Sequence, residues 1–156
     1  FLGYKDPDDE ARQVEDVAHM AQACESLGIG CIIEPMARGR RADHDIYRAE
    51  YIALGARIAC EIGADILKTD YSGSAETFKQ VTEASFRPVL IAGGPKTDTL
   101  REALEMVHGA LAAGANGMFI GRNVFQAPNP GQMMRILRHM IHDDLSVDAA
   151  LEELEA

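Results

Sequence analysis

Lys68 ends the apolar run Gly63-Ala64-Asp65-Ile66-Leu67 and is followed by Thr69-Asp70-Tyr71. An ammonium group at the end of a buried strand loses several kcal/mol of hydration unless it is paired. Burial favours the neutral amine, and a neutral amine adds to carbonyl carbons to form Schiff bases. The plainer reading is a lysine that snorkels from the strand end to a solvated partner. Two glycine-bearing segments follow, Ile91-Ala92-Gly93-Gly94-Pro95-Lys96 and Phe119-Ile120-Gly121-Arg122-Asn123. Glycine lets the backbone approach a ligand, a helix N-terminus behind it offers free N–H donors, and Arg122 adds a two-pronged donor. Strand-to-helix turns also use glycine for geometry alone. Two such turns in succession, one with arginine, favour a phosphate cradle. An amine beside a phosphate cradle points to chemistry on a phosphorylated ketone.

Other side chains have a role to compete for. Glu34 stands just before Pro35, where a carboxylate serves as general acid or base, or bridges to Arg38, Arg40 or Arg41. Those arginines either meet an anionic substrate or line a solvated loop. Asp70, two residues after Lys68, either holds a proton or pairs with the lysine, while Tyr71 and Ser72 are placed to orient substrate hydroxyls or phosphate. Asp43-His44-Asp45 reads as a helix-capping loop and His139 with His142 as a helix edge, so no metal is expected. Met133, Met134 and Met140 read as core filler.

The elements that must position these groups alternate between strand and helix. Asp6-Pro7 predicts a helix start. Val14, Val17, Ala18, Ala21, Cys24 and Leu27 recur at helical spacing until Gly28. Cys31 to Glu34 is a short strand. Tyr47, Tyr51, Leu54, Ile58 and Ile62 predict the inner face of a second helix, closed by Gly63. Ala64 to Thr69 is the lysine strand, and Ser74 caps a short helix with Phe78 and Val81. Pro88 to Ala92 is a strand, and Thr97 or Asp98 caps a helix that ends at Gly114. Gly117 to Ile120 is the last strand, with Asn123-Val124-Phe125 as a short extra helix and two further helices behind it. Phe1 to Tyr4 reads as the tail of a preceding strand.

Such alternation implies a parallel sheet with right-handed crossovers, its strands buried on both faces. Length alone, at 156 residues, admits a flavodoxin-like open sheet. The motifs have to decide between that sheet and a (β/α)8 barrel, a fold that needs about 250 residues and carries its chemistry at the C-terminal strand ends. On the barrel reading residues 1–156 form one domain, the C-terminal half of a barrel, from about strand four or five to strand eight. If Lys68 faces the barrel interior, Ile66 and Asp70 do too, and Leu67 lies under the helices. Apolar strand faces left uncovered would drive self-association.

Composition bounds the partners. A formal net charge of −10 argues against a nucleic-acid or anionic-membrane surface. Three cysteines without a Cys-x-x-Cys pair give neither a disulfide framework nor a zinc site, and a reducing cytoplasmic setting is expected. No run approaches the roughly 18 apolar residues of a membrane span.

Ala64 to Tyr71, Pro88 to Gly94 and Gly121 to Gln126, taken in order, resemble the archaeal-type class I fructose-bisphosphate aldolases, also called DhnA or DeoC/LacD-like aldolases. The resemblance covers nearly the whole chain and implies a TIM barrel. It places Lys68 at the Schiff-base lysine of strand six, Gly93 and Gly94 at the strand-seven phosphate loop, and Gly121 and Arg122 at that of strand eight. It implies a lyase that makes or breaks a carbon–carbon bond of a phosphorylated ketose through a lysine imine, with no metal or organic cofactor, and a homo-oligomer. The family's Tyr-Pro-Arg-Gly run after strand five, with tyrosine as proton donor, is here Met36-Ala37-Arg38-Gly39. Its strand-one aspartate would precede Phe1. The chain is also similar to a bacterial thiolase acting on a phosphorylated pentanedione, which leaves acyl transfer to coenzyme A as the alternative activity. A phosphate-binding half-barrel without lyase chemistry is the second alternative.

Overall fold

A computed structural model describes residues 7–39, 45–93, 97 and 99–155. Helix α1 (Pro7–Ser26) opens with proline at the first helical position, where its missing N–H leaves no bond unmade, and Asp8, Asp9 and Glu10 complement the positive end of the helix dipole. Asp6 and the strand remnant Phe1 to Tyr4 lie outside the described residues. Strand β1 (Ile32–Ile33), helix α2 (Ala49–Glu61), strand β2 (Ile66–Thr69), helix α3 (Ala75–Ala84), strand β3 (Val89–Ala92), helix α4 (Leu100–Ala112) and strand β4 (Gly117–Phe119) continue the alternation. The short helix α5 (Arg122–Phe125), α6 (Pro130–His142) and α7 (Val147–Glu155) close it.

Glycine ends three of the helices. Gly28, Gly63 and Gly114 have φ of 66°, 110° and 95°, the left-handed region in which a side chain is penalised. Ser74 caps α3 as expected, its hydroxyl accepting the Thr77 N–H at 3.2 Å. The cap of α4 is Thr99, neither Thr97 nor Asp98; Asp98 lies outside the described residues. Thr99 wins because Glu102 sits three positions on: its carboxylate accepts the Thr99 N–H at 3.0 Å while the Thr99 hydroxyl accepts the Glu102 N–H at 3.2 Å.

The four strands are parallel and ordered β1-β2-β3-β4. A flavodoxin-like sheet reverses its strand order at a switch point. Here each strand pairs with the next in sequence, as in a barrel wall, with Lys68 opposite Leu90 and Ala92 opposite Phe119. Right-handed crossovers from an unreversed sheet put all helices on one side. Ile33, Leu67, Val89 and Ile91 face those helices and are at most 2% exposed. The opposite face is open, with Ile32 at 47% and Phe119 at 53% exposure. Burial on both faces, expected from the apolar strands, is therefore found on one.

Phe78, Val81, Leu104, Val107 and Ile136 fill the layer under the helices, each contributing about 1.5–3 kcal/mol by leaving water. The inner face of α2 is built from Ile52, Ala53, Ala56, Ala59 and Cys60, while Leu54 is half exposed. Small residues let α2 pack tightly against its neighbours, and the larger leucine turns outward. Leu27 and Met134 are likewise exposed, whereas Met133 and Met140 belong to the core. Among the described residues no helix is long and apolar enough to cross a membrane.

Candidate active site

Strand parity decides which way Lys68 points. Leu67 and Thr69 are fully buried under the helices, so Lys68 projects from the open face at the C-terminal end of β2. Its Nζ lies 2.9 Å from Oε1 of Glu34, which follows β1, and 5.1 Å from the ring centroid of Phe119. The lysine side chain keeps 21% of its surface accessible, enough to be reached by a small molecule.

A second ion pair lies beside the first. Arg38 Nη2 is 2.9 Å from Asp70 Oδ2, and the Arg38 guanidinium sits 5.7 Å from the centroid of Tyr47. The pairing is crossed relative to two of the readings of the sequence. Asp70, a candidate partner for the lysine, is held by Arg38, and Glu34, a candidate partner for the arginines, is held by Lys68. The reason is distance along the chain: two residues past Lys68 carry Asp70 about 6.6 Å further up the strand direction, level with the loop after β1. Asp70 is nearly buried, and a carboxylate there requires its guanidinium partner. Arg40, Arg41, Asp43 and His44 lie outside the described residues.

Glu34, Lys68, Asp70, Gly93, Gly121 and Arg122 share the lining of one cleft of about 430 Å³. Gly94 lies outside the described residues. The two described glycines have a packing reason as well as a ligand-binding one. A Cβ on Gly93 would stand 2.9 Å from Ile120 Cγ2, and one on Gly121 would stand 2.9 Å from Phe125 Cε1. Asn123 Nδ2 donates to the Gly93 carbonyl at 3.3 Å and ties the end of β3 to α5.

Tyr71 and Ser72, expected to meet substrate, do not line this cleft. Asp70 points inward, so Tyr71 points into the helical layer, its ring 5.1 Å from that of Phe78 and its hydroxyl against Gly109 of α4. Ser72 turns to the start of α3, its hydroxyl 2.8 Å from that of Thr77. A Cβ at position 109 would overlap the Tyr71 hydroxyl. Gly109→Ala is therefore expected to lower stability by about 1–3 kcal/mol, read as a lower urea midpoint. Adding Tyr71→Phe should restore part of the loss, and no recovery would mean that the clash lies elsewhere.

Burial pushes the Tyr71 phenol above its ordinary value of 10.0. The Cys31 thiol is pushed above 9.0, first by burial and then by neighbouring Cys24 and Asp65. In both groups the folded chain holds its proton more tightly than the unfolded chain does. Stability is thus intact below about pH 9 and falls as pH rises beyond it, because the unfolded state ionises first. Urea titrations from about pH 8 to pH 11 should show this decline, with Tyr71→Phe flattening the part above about pH 10. An equally steep decline in that variant would contradict the assignment.

Sequence reasoning put Phe119 and Asn123 inside a glycine-bearing segment without giving either side chain a role, and it did not place Tyr47 in the cleft. Alternation along β4 was a usable signal for Phe119, since its register with Ala92 puts it on the lysine's face. Tyr47, expected at the start of the inner face of the second helix, precedes α2 and lines the cleft instead. Among the described residues no three His, Cys, Asp or Glu side chains gather as a metal site. His139 and His142 occupy the last turn of α6.

Comparison with known proteins places this geometry. The DeoC/LacD family aldolase profile matches residues 1–127. An uncharacterized aldolase of Saccharolobus solfataricus is 36% identical over 154 residues, covering 99% of this chain and 57% of that protein. The 2-amino-3,7-dideoxy-D-threo-hept-6-ulosonate synthase of Halobacterium salinarum is 41% identical over 146 residues, covering 92% of this chain and 53% of that protein. A solved Schiff-base-forming fructose-1,6-bisphosphate aldolase superposes with a TM-score of 0.82 at 33% identity, over 90% of this chain and 57% of that one. The chain spans about half the length of the relatives it matches, and its four parallel strands form half of a (β/α)8 barrel.

Proposed function

We propose, because this chain belongs to the DeoC/LacD aldolase family, that its cleft carries class I aldol chemistry on a phosphorylated ketone. We assign residues 1–156 to the C-terminal half of the barrel, with Lys68 on strand six. The observation that carries the reading is a carboxylate 2.9 Å from the amine of Lys68, in a cleft shared with Gly93 and Gly121.

Lys68 Nζ attacks the ketone carbon, and the carbonyl oxygen takes a proton to give a carbinolamine. Glu34 removes the proton from the attacking nitrogen and returns one to the departing hydroxyl, which leaves as water. The iminium then accepts the electron pair of the breaking carbon–carbon bond while a base removes the proton of the adjacent hydroxyl, so that an aldehyde departs and an enamine remains. Protonation and hydrolysis of the enamine release the ketone. The iminium supplies the electron sink, so the scheme calls on no metal or organic cofactor. Gly93, Gly121 and Arg122 lie one to two strand spacings from Lys68, about 5–10 Å, and together with Gly94 are assigned to hold the phosphate. That distance suits a three-carbon phosphate ester.

Asp70 enters this scheme as a holder of Arg38 rather than as a proton carrier. The relatives described above include an aldolase, a heptulosonate synthase and a solved Schiff-base-forming aldolase, which favours aldol chemistry over acyl transfer to coenzyme A. The test is intact mass after borohydride reduction in the presence of dihydroxyacetone phosphate. A covalent adduct is expected, and its absence would leave a phosphate-binding barrel without imine chemistry.

A further inference from the structure

We propose that Phe119 is a catalytic residue, its ring face carrying part of the positive charge of the iminium formed at Lys68. The inference rests on the aldolase reading above and adds a partner for the charged nitrogen. Lys68 and Phe119 both project from the open face of the sheet, from strands two apart. Those strands run about 10 Å apart, and the two side chains close the gap above β3, where Leu90 pairs with Lys68. Nζ ends over the face of the Phe119 ring, 5.1 Å from its centroid. A cation within about 6 Å of a ring centroid is attracted to the electron-rich face. Phe119 is 53% exposed, so its ring adds little to the core.

Glu34, 2.9 Å from the same nitrogen, is a partner whose charge changes. In the scheme above it takes a proton from nitrogen and gives one to the departing hydroxyl, so it alternates between carboxylate and acid. The charge distribution of the ring is fixed. Nitrogen is neutral in the carbinolamine and positive in the iminium: its lone pair forms the C=N bond as the C–O bond breaks and water leaves. Positive charge therefore grows beside the ring in that step. The resting ammonium has three N–H donors for Glu34 and for water. The iminium keeps one N–H and is poorly hydrated, and a cation withdrawn from water gains more from an aromatic face. The ring thus favours the iminium over the ammonium and free ketone.

The experiment replaces Phe119 by 4-fluoro-, 3,4,5-trifluoro- and pentafluorophenylalanine. The rate of borohydride-trapped adduct formation with dihydroxyacetone phosphate is then followed by intact mass. Fluorine withdraws electron density from the ring face with little change in size, so a ring that only fills space would leave the rate unmoved. The logarithm of the rate should fall stepwise, about tenfold across the series, the scale of a cation–ring contact partly shielded from water. Phe119→Leu keeps an apolar side chain without the ring face and should lie at the low end. Equal rates across the fluorinated series overturn the proposal, as does a rate within twofold of the original for Phe119→Leu. The fluorinated rings keep the shape of the side chain, so their result stands even if the leucine variant misfolds. Failure of the unsubstituted protein to form the adduct would instead overturn the aldolase reading, and this proposal with it.

Discussion

Lys68→Ala is expected to abolish both turnover and the borohydride adduct while the protein stays folded. Losing a covalent nucleophile costs on the order of 10⁵–10⁶-fold in kcat, because no neighbouring group can form the same bond. Glu34 is the only carboxylate paired with Lys68 in the described residues, and at 34% exposure water can solvate it when the amine is gone. No unpaired buried charge results, so the circular dichroism spectrum should match that of the unsubstituted protein. Lys68→Met, which keeps the apolar stem beside Phe119, should behave alike. Turnover retained within tenfold in either variant would remove the imine mechanism.

Glu34→Gln is expected to slow kcat by about 10²–10⁴-fold, the range of a lost general acid–base. The amide keeps the size of the side chain and can still accept a hydrogen bond from Lys68, so the geometry is conserved and only proton transfer is lost. Unlike the lysine variants, this one should still yield the borohydride adduct on long incubation, because Lys68 remains. Rapid-quench measurement of adduct formation separates the two steps. A kcat within about threefold of the original would assign proton transfer to another group and leave Glu34 as an electrostatic partner.

Much of the fold could be read from local rules. Positive-φ glycines at 28, 63 and 114 punctuate the chain where expected, because only glycine enters the left-handed region without penalty. Ser74 caps its helix, and the parity of Leu67 and Thr69 against Lys68 follows from strand geometry alone. The rules misled where two local signals competed. Thr99 displaced Thr97 because a capping box makes two bonds and a lone threonine makes one. Leu54 lost the inner face of α2 to alanines because close helix packing favours small volume over hydrophobicity.

The candidate site divides in the same way. Lys68 at a strand end, Glu34 before a proline and glycines at two later turns are local facts, and the sequence by itself determined that these groups stand at strand ends facing one mouth. Which carboxylate meets which cation depends on how far apart two strand ends lie and how the loop between β1 and α2 returns. Only the tertiary structure decided that Glu34 meets Lys68 while Asp70 clamps Arg38. It also decided that Phe119 approaches the lysine and that Tyr71 leaves the site for the helical layer. A side chain's direction is written in its own segment, and its partner is set by contacts between segments distant in sequence.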